Sequence, residues 1–259
     1  MPDYHPNPAG RILHLVDSTL ESGGAELLRE IWLDYFQVSN ETDYLAALVT
    51  VLNVSAEARK QLLALKRTFI PRDQAVEPFH TFEKFVHEYA KVPVAVDQFR
   101  KTMQPRRDML LSTSEILDEF YPTAVTSEVT LDRIRNLAYE IATEVTQDGS
   151  LDTELRAVLL RYAHNLMRLV DMYKVTGGAA LKDEADRFFA EAWRTETLKR
   201  APESLWKKAM GVTGVVLTAV DVFVAPQHVT EAIDFYLNAG TTSISIEAPA
   251  PDYVIEQTD

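Results

Sequence analysis

Apolar residues recur along most of this chain at intervals of three and four positions. That spacing is the period of an α-helix, whereas a half-buried strand alternates apolar and polar residues. Glycine, which interrupts helices, occurs only nine times in 259 residues. The pattern therefore predicts an all-α protein built as a bundle of several helices.

The first half of the chain carries short apolar stripes separated by helix breakers. In the stretch 42–65 the stripe is interrupted at Asn53, and Ser55 is of a type that caps helix N-termini, so we predict two short helices there. Pro71 and Pro78 predict a connector between them. Further helices are predicted over 11–20, 25–36, 81–90, 95–103 and 109–120.

The second half has a more regular pattern. One stripe ends near Gly149, and Asp152 can cap the helix that follows, which we expect to continue until Gly177 and Gly178 end it. Because the link between the two stripes is short, we predict a long antiparallel helical hairpin. Another helix is predicted over 179–193. The two stripes consist of Leu131, Ile134, Ala138, Ile141 and Val145, and of Leu155, Leu159, Tyr162, Leu166, Leu169 and Tyr173.

The run 209–225 is the most apolar stretch of the chain. Our preferred interpretation is a very apolar helix near the C-terminus, buried on all faces by its neighbours. A buried strand or tight hairpin is an alternative, because periodicity alone does not separate short apolar runs. A membrane span is the third interpretation, although the run is short for one and contains Asp221.

The length and composition are those of a globular protein, with 46% hydrophobic and 25% charged residues. We expect one helical domain over 1–259, or two packed halves. The halves would be N-terminal helices over 11–121 and a helical bundle over 129–240. The final segment, 241–259, contains several prolines and acidic residues, and we expect an acidic, partly disordered tail.

The formal charge of −13 argues against nucleic-acid binding, because proteins neutralise phosphates with clustered Lys and Arg. The chain has no cysteine, which excludes disulfides and thiolate metal sites and suits a reducing compartment. Its first residues lack the basic and apolar pattern of a secretory signal. We therefore expect a cytoplasmic protein.

Two groups of residues have the spacing of a binding site. His80, Glu83 and His87 would share one face of a helix, and imidazole and carboxylate groups bind metals. Arg161, His164 and Arg168 would form a cationic face suited to an anion. Ordinary solvated helix faces explain both patterns as well, so we assign no metal, cofactor or catalytic residue.

The sequence lacks the glycine-rich loops that bind phosphates and the serine elbow of hydrolases. The stretch 151–181 resembles, in its general look, helical bacterial proteins of unassigned function, which implies no active site.

The leading hypothesis is a non-enzymatic interaction module, such as an adaptor, regulator or immunity-like protein, that binds a partner protein or a second copy of itself. One alternative is a bacterial defence-type effector that acts on a membrane through 209–225. Another is a helical enzyme that uses one of the two candidate sites.

Overall fold

A computed structural model describes residues 6–66, 69–89, 91–121, 125–194 and 201–220. Throughout these ranges the regular structure is helical, which confirms the predicted all-α fold. The α-helices are α1 (Pro8–Leu20), α2 (Leu28–Tyr35), α3 (Glu41–Ala64), α4 (Arg72–Tyr89), α5 (Val96–Met103), α6 (Arg107–Phe120), α7 (Glu128–Gln147), α8 (Thr153–Asp171), α9 (Tyr173–Arg194) and α10 (Glu203–Val220). A 3₁₀ turn, Gln104–Arg106, joins α5 to α6.

Helix α1 is the centre of the first half. It packs against α2, α3, α5 and α6, and its start is fixed by Asn7. The Asn7 side chain accepts a hydrogen bond from the Gly10 amide at 3.0 Å and donates one to the Ser114 carbonyl at 2.9 Å. Asn7 is fully buried, so both of its hydrogen bonds are needed to offset the cost of removing the amide from water. The sequence around Asn7 thus both starts α1 and attaches it to α6.

In the second half, as far as its residues are described, four helices pack against one another. Helix α7 packs against α8, α8 against α9, α9 against α10, and α10 against α7. Arg135 near the start of α7 pairs with Asp171 at the end of α8, and Arg156 near the start of α8 donates to the Asp148 carbonyl at 2.7 Å. These contacts attach α8 to α7 and to the turn that precedes α8.

The buried apolar side chains form two cores, one for each half. The first core contains residues of α1 to α6 together with Met172 and Val175 from the α8–α9 region. The second core contains residues of α7 to α10, among them Leu181 and Ala185. Helix α9 therefore contributes to both cores, and it is the element that joins the two halves.

The predicted break at Asn53 is wrong, because α3 is one continuous helix from Glu41 to Ala64. Asn53 lies on the exposed face, while Val51, Val54 and Ala58 continue the buried stripe on both sides of it. Ser55 is fully buried and donates to Glu83 of α4 at 2.8 Å rather than capping a helix. Asn53 is thus polar because it faces solvent, and Ser55 is polar because it bonds to α4.

The predicted connector from Pro71 to Pro78 is also wrong. Helix α4 begins at Arg72, immediately after Pro71, whose carbonyl accepts the Ala75 amide at 3.0 Å. Pro78 lies inside the helix and is buried in contact with the rest of the first half. Packing thus outweighs the one hydrogen bond that a proline removes from a helix.

Gly177 does not end one long helix as the sequence suggests. Helix α8 ends at Asp171, and α9 begins at Tyr173 with non-helical dihedral angles at Gly177. The break is therefore placed inside α9, close to its start. The acidic tail 241–259 and residues 221–225 of the apolar run lie outside the described residues.

Candidate functional site

A cleft of about 770 Å³ lies between the two halves. One wall consists of α1 and the end of α2. The other consists of the segment before α7, the first turns of α7, and the junction of α8 with α9. The lining side chains on which the argument depends are His14, Ser18, Glu21, Asp34, Tyr35, Val125, Glu128, Asp132, Arg135, Asp171, Tyr173 and Lys174.

Helix α1 supplies a polar stripe to the cleft. His14, Ser18 and Glu21 follow each other at steps of four and three, so they lie on one face of the helix. The opposite face carries Ile12 and Val16, which are buried in the first core. The amphipathic pattern of α1 thus fixes which side chains reach the cleft.

His14 and Tyr35 connect the two helices of this wall. The His14 Nδ1 atom and the Tyr35 hydroxyl lie 2.6 Å apart, and their rings are 5.6 Å apart between centroids. Burial, and secondly the charge of Lys174, lower the pKa of His14 below its usual 6.5, while Asp17 and Glu21 act in the opposite direction. His14 is therefore neutral near pH 7, and its Nδ1 atom can accept a hydrogen bond from the Tyr35 hydroxyl.

The second wall is held by a charged cluster and by backbone contacts. Arg135 pairs with Asp132 at 3.2 Å and with Asp171. It therefore joins α7 to α8 within this wall. The hydroxyl of Tyr173 accepts the backbone amide of Thr126 at 2.8 Å, which fixes the segment before α7. Side chains from four separate parts of the chain thus converge on one site.

The lining carries five carboxylates and two permanent cations, so its charge is negative at neutral pH. Asp132 and Asp171 are neutralised in part by Arg135. Glu21, Asp34 and Glu128 make no ion pair with any residue in the described part of the chain. The carboxylates that face the cleft are therefore available to a positively charged ligand from outside the molecule.

His80, Glu83 and His87, the metal candidates, lie on α4 and away from the cleft. Glu83 accepts hydrogen bonds from Ser55 at 2.8 Å and Arg59 at 2.9 Å, both on α3, and His80 lies 3.8 Å from it. His87 is exposed. Within the described ranges, no group of three or more His, Asp or Glu side chains is arranged to hold a metal ion. Glu83 thus joins α3 to α4.

Arg161, His164 and Arg168, the anion candidates, are exposed on α8. Both carboxylate oxygens of Glu191 on α9 accept hydrogen bonds from Arg161, at 2.7 and 2.6 Å. The arginine is thus already paired with a carboxylate, and its role in the fold is to connect α8 with α9.

The first part of the apolar run 209–225 lies in α10, where Ala209, Val212 and Val216 are fully buried in the second core. Thr213 adds a polar contact, because its hydroxyl lies 2.7 Å from that of Tyr162. Among the helices of the described ranges, none combines the length and the apolar character required to cross a membrane.

The cleft residues escape sequence reasoning because each looks ordinary in its own segment. His14 and Glu21 read as the polar side of an amphipathic helix, and Asp132 and Arg135 as another. The signal that was present is the stripe of His14, Ser18 and Glu21. These side chains line the cleft only because α1 lies opposite α7 in the folded protein.

Comparison with protein-family models, with curated proteins and with solved structures finds no match.

Proposed function

We propose that this protein is a non-enzymatic interaction module that binds a basic segment of a partner protein in the cleft between its two halves. The single observation that supports the proposal most is the set of Glu21, Asp34 and Glu128, three cleft carboxylates without an ion pair among the described residues. A partner that brings Lys or Arg side chains would supply the missing cations.

Electrostatics on a larger scale supports the same partner. The whole chain carries a formal charge of −13, so its field attracts a basic segment before contact is made. A second copy of the chain would bring the same negative charge and is a poorer occupant. The apolar residues Ile31, Val125 and Leu131 in the lining suit a segment in which basic residues alternate with apolar ones.

The construction of the walls also suits binding. In this proposal the α7–α8 hairpin supports the second wall rigidly, and the ion pair of Arg135 with Asp171 connects its two helices. The His14–Tyr35 contact stabilises the first wall. Preformed walls reduce the ordering cost of binding, since few side chains need to be immobilised when the partner arrives. We place the interaction in the cytoplasm, because the chain has no cysteine.

Charge reversal tests the proposal. The variant Glu21→Lys/Asp34→Lys/Glu128→Lys makes the cleft cationic. The matched control Glu115→Lys/Glu119→Lys/Asp186→Lys reverses the same number of exposed carboxylates on α6 and α9, outside the lining. The probe is a set of fluorescein-labelled peptides of equal length that differ in net charge, followed by fluorescence anisotropy.

We expect the parent and the control to bind basic peptides, with affinity that falls as salt is added. The cleft variant should lose this binding by at least about tenfold, which corresponds to ~1.4 kcal/mol. Equal binding by the cleft variant and the control would overturn the proposal. Light scattering that shows a dimer of the parent, lost only in the cleft variant, would replace the basic partner with a second copy.

A further inference from the structure

Helix α9 changes from one core to the other within its first turns. Met172 and Val175 are buried in the first core, whereas Leu181 and Ala185 are buried in the second. Gly177 lies between these two pairs and is the point at which the helix is broken. The backbone conformation of Gly177 therefore affects how the two halves are oriented relative to each other.

The backbone at Gly177 has a conformation that side chains oppose. Its φ is +64° and its ψ is −172°, a region that is essentially restricted to glycine. A Cβ atom at this position would also overlap the guanidinium of Arg11. The dihedral angles of Gly177 thus favour glycine, and a side chain at this position would force the Arg11 guanidinium to shift.

Arg11 makes a contact directly beside the joint, on the side of the first half. Its terminal NH1 group donates a hydrogen bond to the carbonyl of Thr176, one residue before Gly177. The break in the helix leaves this carbonyl available to a side chain. The Arg11 Nε atom is enclosed and makes no hydrogen bond within the described structure. Burial lowers the pKa of Arg11 from 12.5 to about 10, with Tyr173 and Glu57 acting in the opposite direction.

A desolvated guanidinium costs free energy, and here its Nε–H donates no hydrogen bond to any described residue. The two elements that Arg11 joins both line the cleft. His14 lies one turn beyond Arg11 on α1, and Tyr173 and Lys174 lie just before the joint on α9. The contact between Arg11 and Thr176 thus connects an element of one wall to an element of the other.

We infer that Arg11 is a positioning residue that sets the width of the cleft by holding Gly177 as a joint between the two halves. The guanidinium fixes the Thr176 carbonyl, and the carbonyl fixes the direction in which α9 enters the second half. This inference concerns the free protein and does not depend on what the cleft binds.

Distance measurement between the halves tests this inference. The chain has no native cysteine, so Leu63→Cys on α3 and Tyr139→Cys on α7 provide a unique labelling pair. These side chains are 50% and 64% exposed, which permits spin labelling with little disturbance. Double electron–electron resonance then gives the distribution of distances between the two labels, with no ligand present.

The informative variant is Arg11→Met, which keeps a long flexible side chain and removes the donor. The matched control is Arg106→Met, because the hydrogen bonds of the Arg106 side chain to described residues go to Glu77 and Thr102, both in the first half. We expect Arg11→Met to broaden or shift the distance distribution, and Arg106→Met to leave it as in the parent. Circular dichroism confirms that each variant retains its helices.

A folded Arg11→Met protein with the parental distribution would overturn the inference. If Arg11→Met does not fold, Gly177→Ala replaces it, because the added methyl group must displace the guanidinium. Unchanged distances in that variant would overturn the inference as well. Altered distances with either variant, together with unchanged peptide binding, would support the joint and count separately against the proposed function.

Discussion

The Nδ1 atom of His14 lies 2.6 Å from the hydroxyl of Tyr35, and this contact joins α1 to α2 at one wall of the cleft. A protonated imidazole would have to donate to the Tyr35 hydroxyl instead of accepting from it, and its charge would be repelled by Lys174. The contact is therefore best maintained while His14 is neutral. The protonation of His14 therefore reports on whether the contact between α1 and α2 is formed.

We predict that His14 titrates below pH 6.5 in the folded protein. Lys174→Gln removes a cation that lowers the pKa, so it should raise the pKa of His14 while leaving the larger effect of burial in place. Lys84→Gln on α4 is the control and should leave the pKa as it is. A pH titration followed by NMR of the imidazole resonances, assigned with His14→Gln, measures all three proteins.

The same shift predicts a loss of stability in acid. The folded pKa lies below the unfolded value of 6.5, so the unfolded state binds the proton more readily. The contribution of His14 is complete above pH 6.5 and declines as the pH falls from 6.5 to the folded pKa. Urea unfolding at a series of pH values should show a smaller decline for His14→Gln. An identical decline in both proteins would assign the effect to other groups.

Asp17 and Arg107 provide a third prediction. Both oxygens of the buried Asp17 carboxylate accept hydrogen bonds from Arg107, each at 2.7 Å, and they connect α1 to α6. Asp17→Asn removes the charge and one acceptor, so we expect the free energy of unfolding to fall by about 2 kcal/mol. The expected loss is moderate because 34% of the Arg107 side chain is exposed.

The control for Asp17→Asn is Asp186→Asn, an exposed position on α9 where the change should stay within about 0.5 kcal/mol. Guanidinium chloride unfolding, monitored by circular dichroism, gives both values. Equal stability of the two variants would show that the pair contributes little to the attachment of α6.

Asp152 gives a fourth prediction, about the start of α8. Its carboxylate accepts the backbone amides of Glu154 at 2.9 Å and Leu155 at 3.3 Å. Asp152→Ala should lower the free energy of unfolding by about 1 kcal/mol, whereas Asp152→Asn should retain most of the capping effect. The same unfolding measurement distinguishes them, and a loss as large for Asn as for Ala would mean that charge, not capping, matters there.

The helices were largely predictable, because their apolar stripes record which faces are buried. The stripe from Leu131 to Val145 predicts a helix, and α7 covers it. Failures occurred where a local signal conflicts with packing. Ser55 looks like a cap but is buried against Glu83, and Pro78 looks like a breaker but is buried inside α4. A single segment does not reveal which neighbour will compensate such a residue.

The candidate site was not predictable from local spacing. His80, Glu83 and His87 have suggestive spacing, yet Glu83 is bonded to Arg59 and Ser55 of α3. The cleft instead combines His14 with Lys174, which are distant in sequence and are brought together only by the way the two halves pack. The sequence indicated a helix break at Gly177, but it gave no sign that Arg11 contacts this residue.

Photo-crosslinking from the cleft tests the proposed function most directly. A benzophenone side chain replaces Ser18 in the cleft or, as the control, the exposed Asn53 on α3. Each protein is irradiated with a peptide mixture that spans acidic to basic sequences, and the captured peptides are sequenced by mass spectrometry. We predict that Ser18 captures basic peptides, that the charge-reversed cleft variant does not, and that Asn53 captures little. Capture of acidic and basic peptides alike from Ser18, or equal capture from Asn53, would contradict the proposed function.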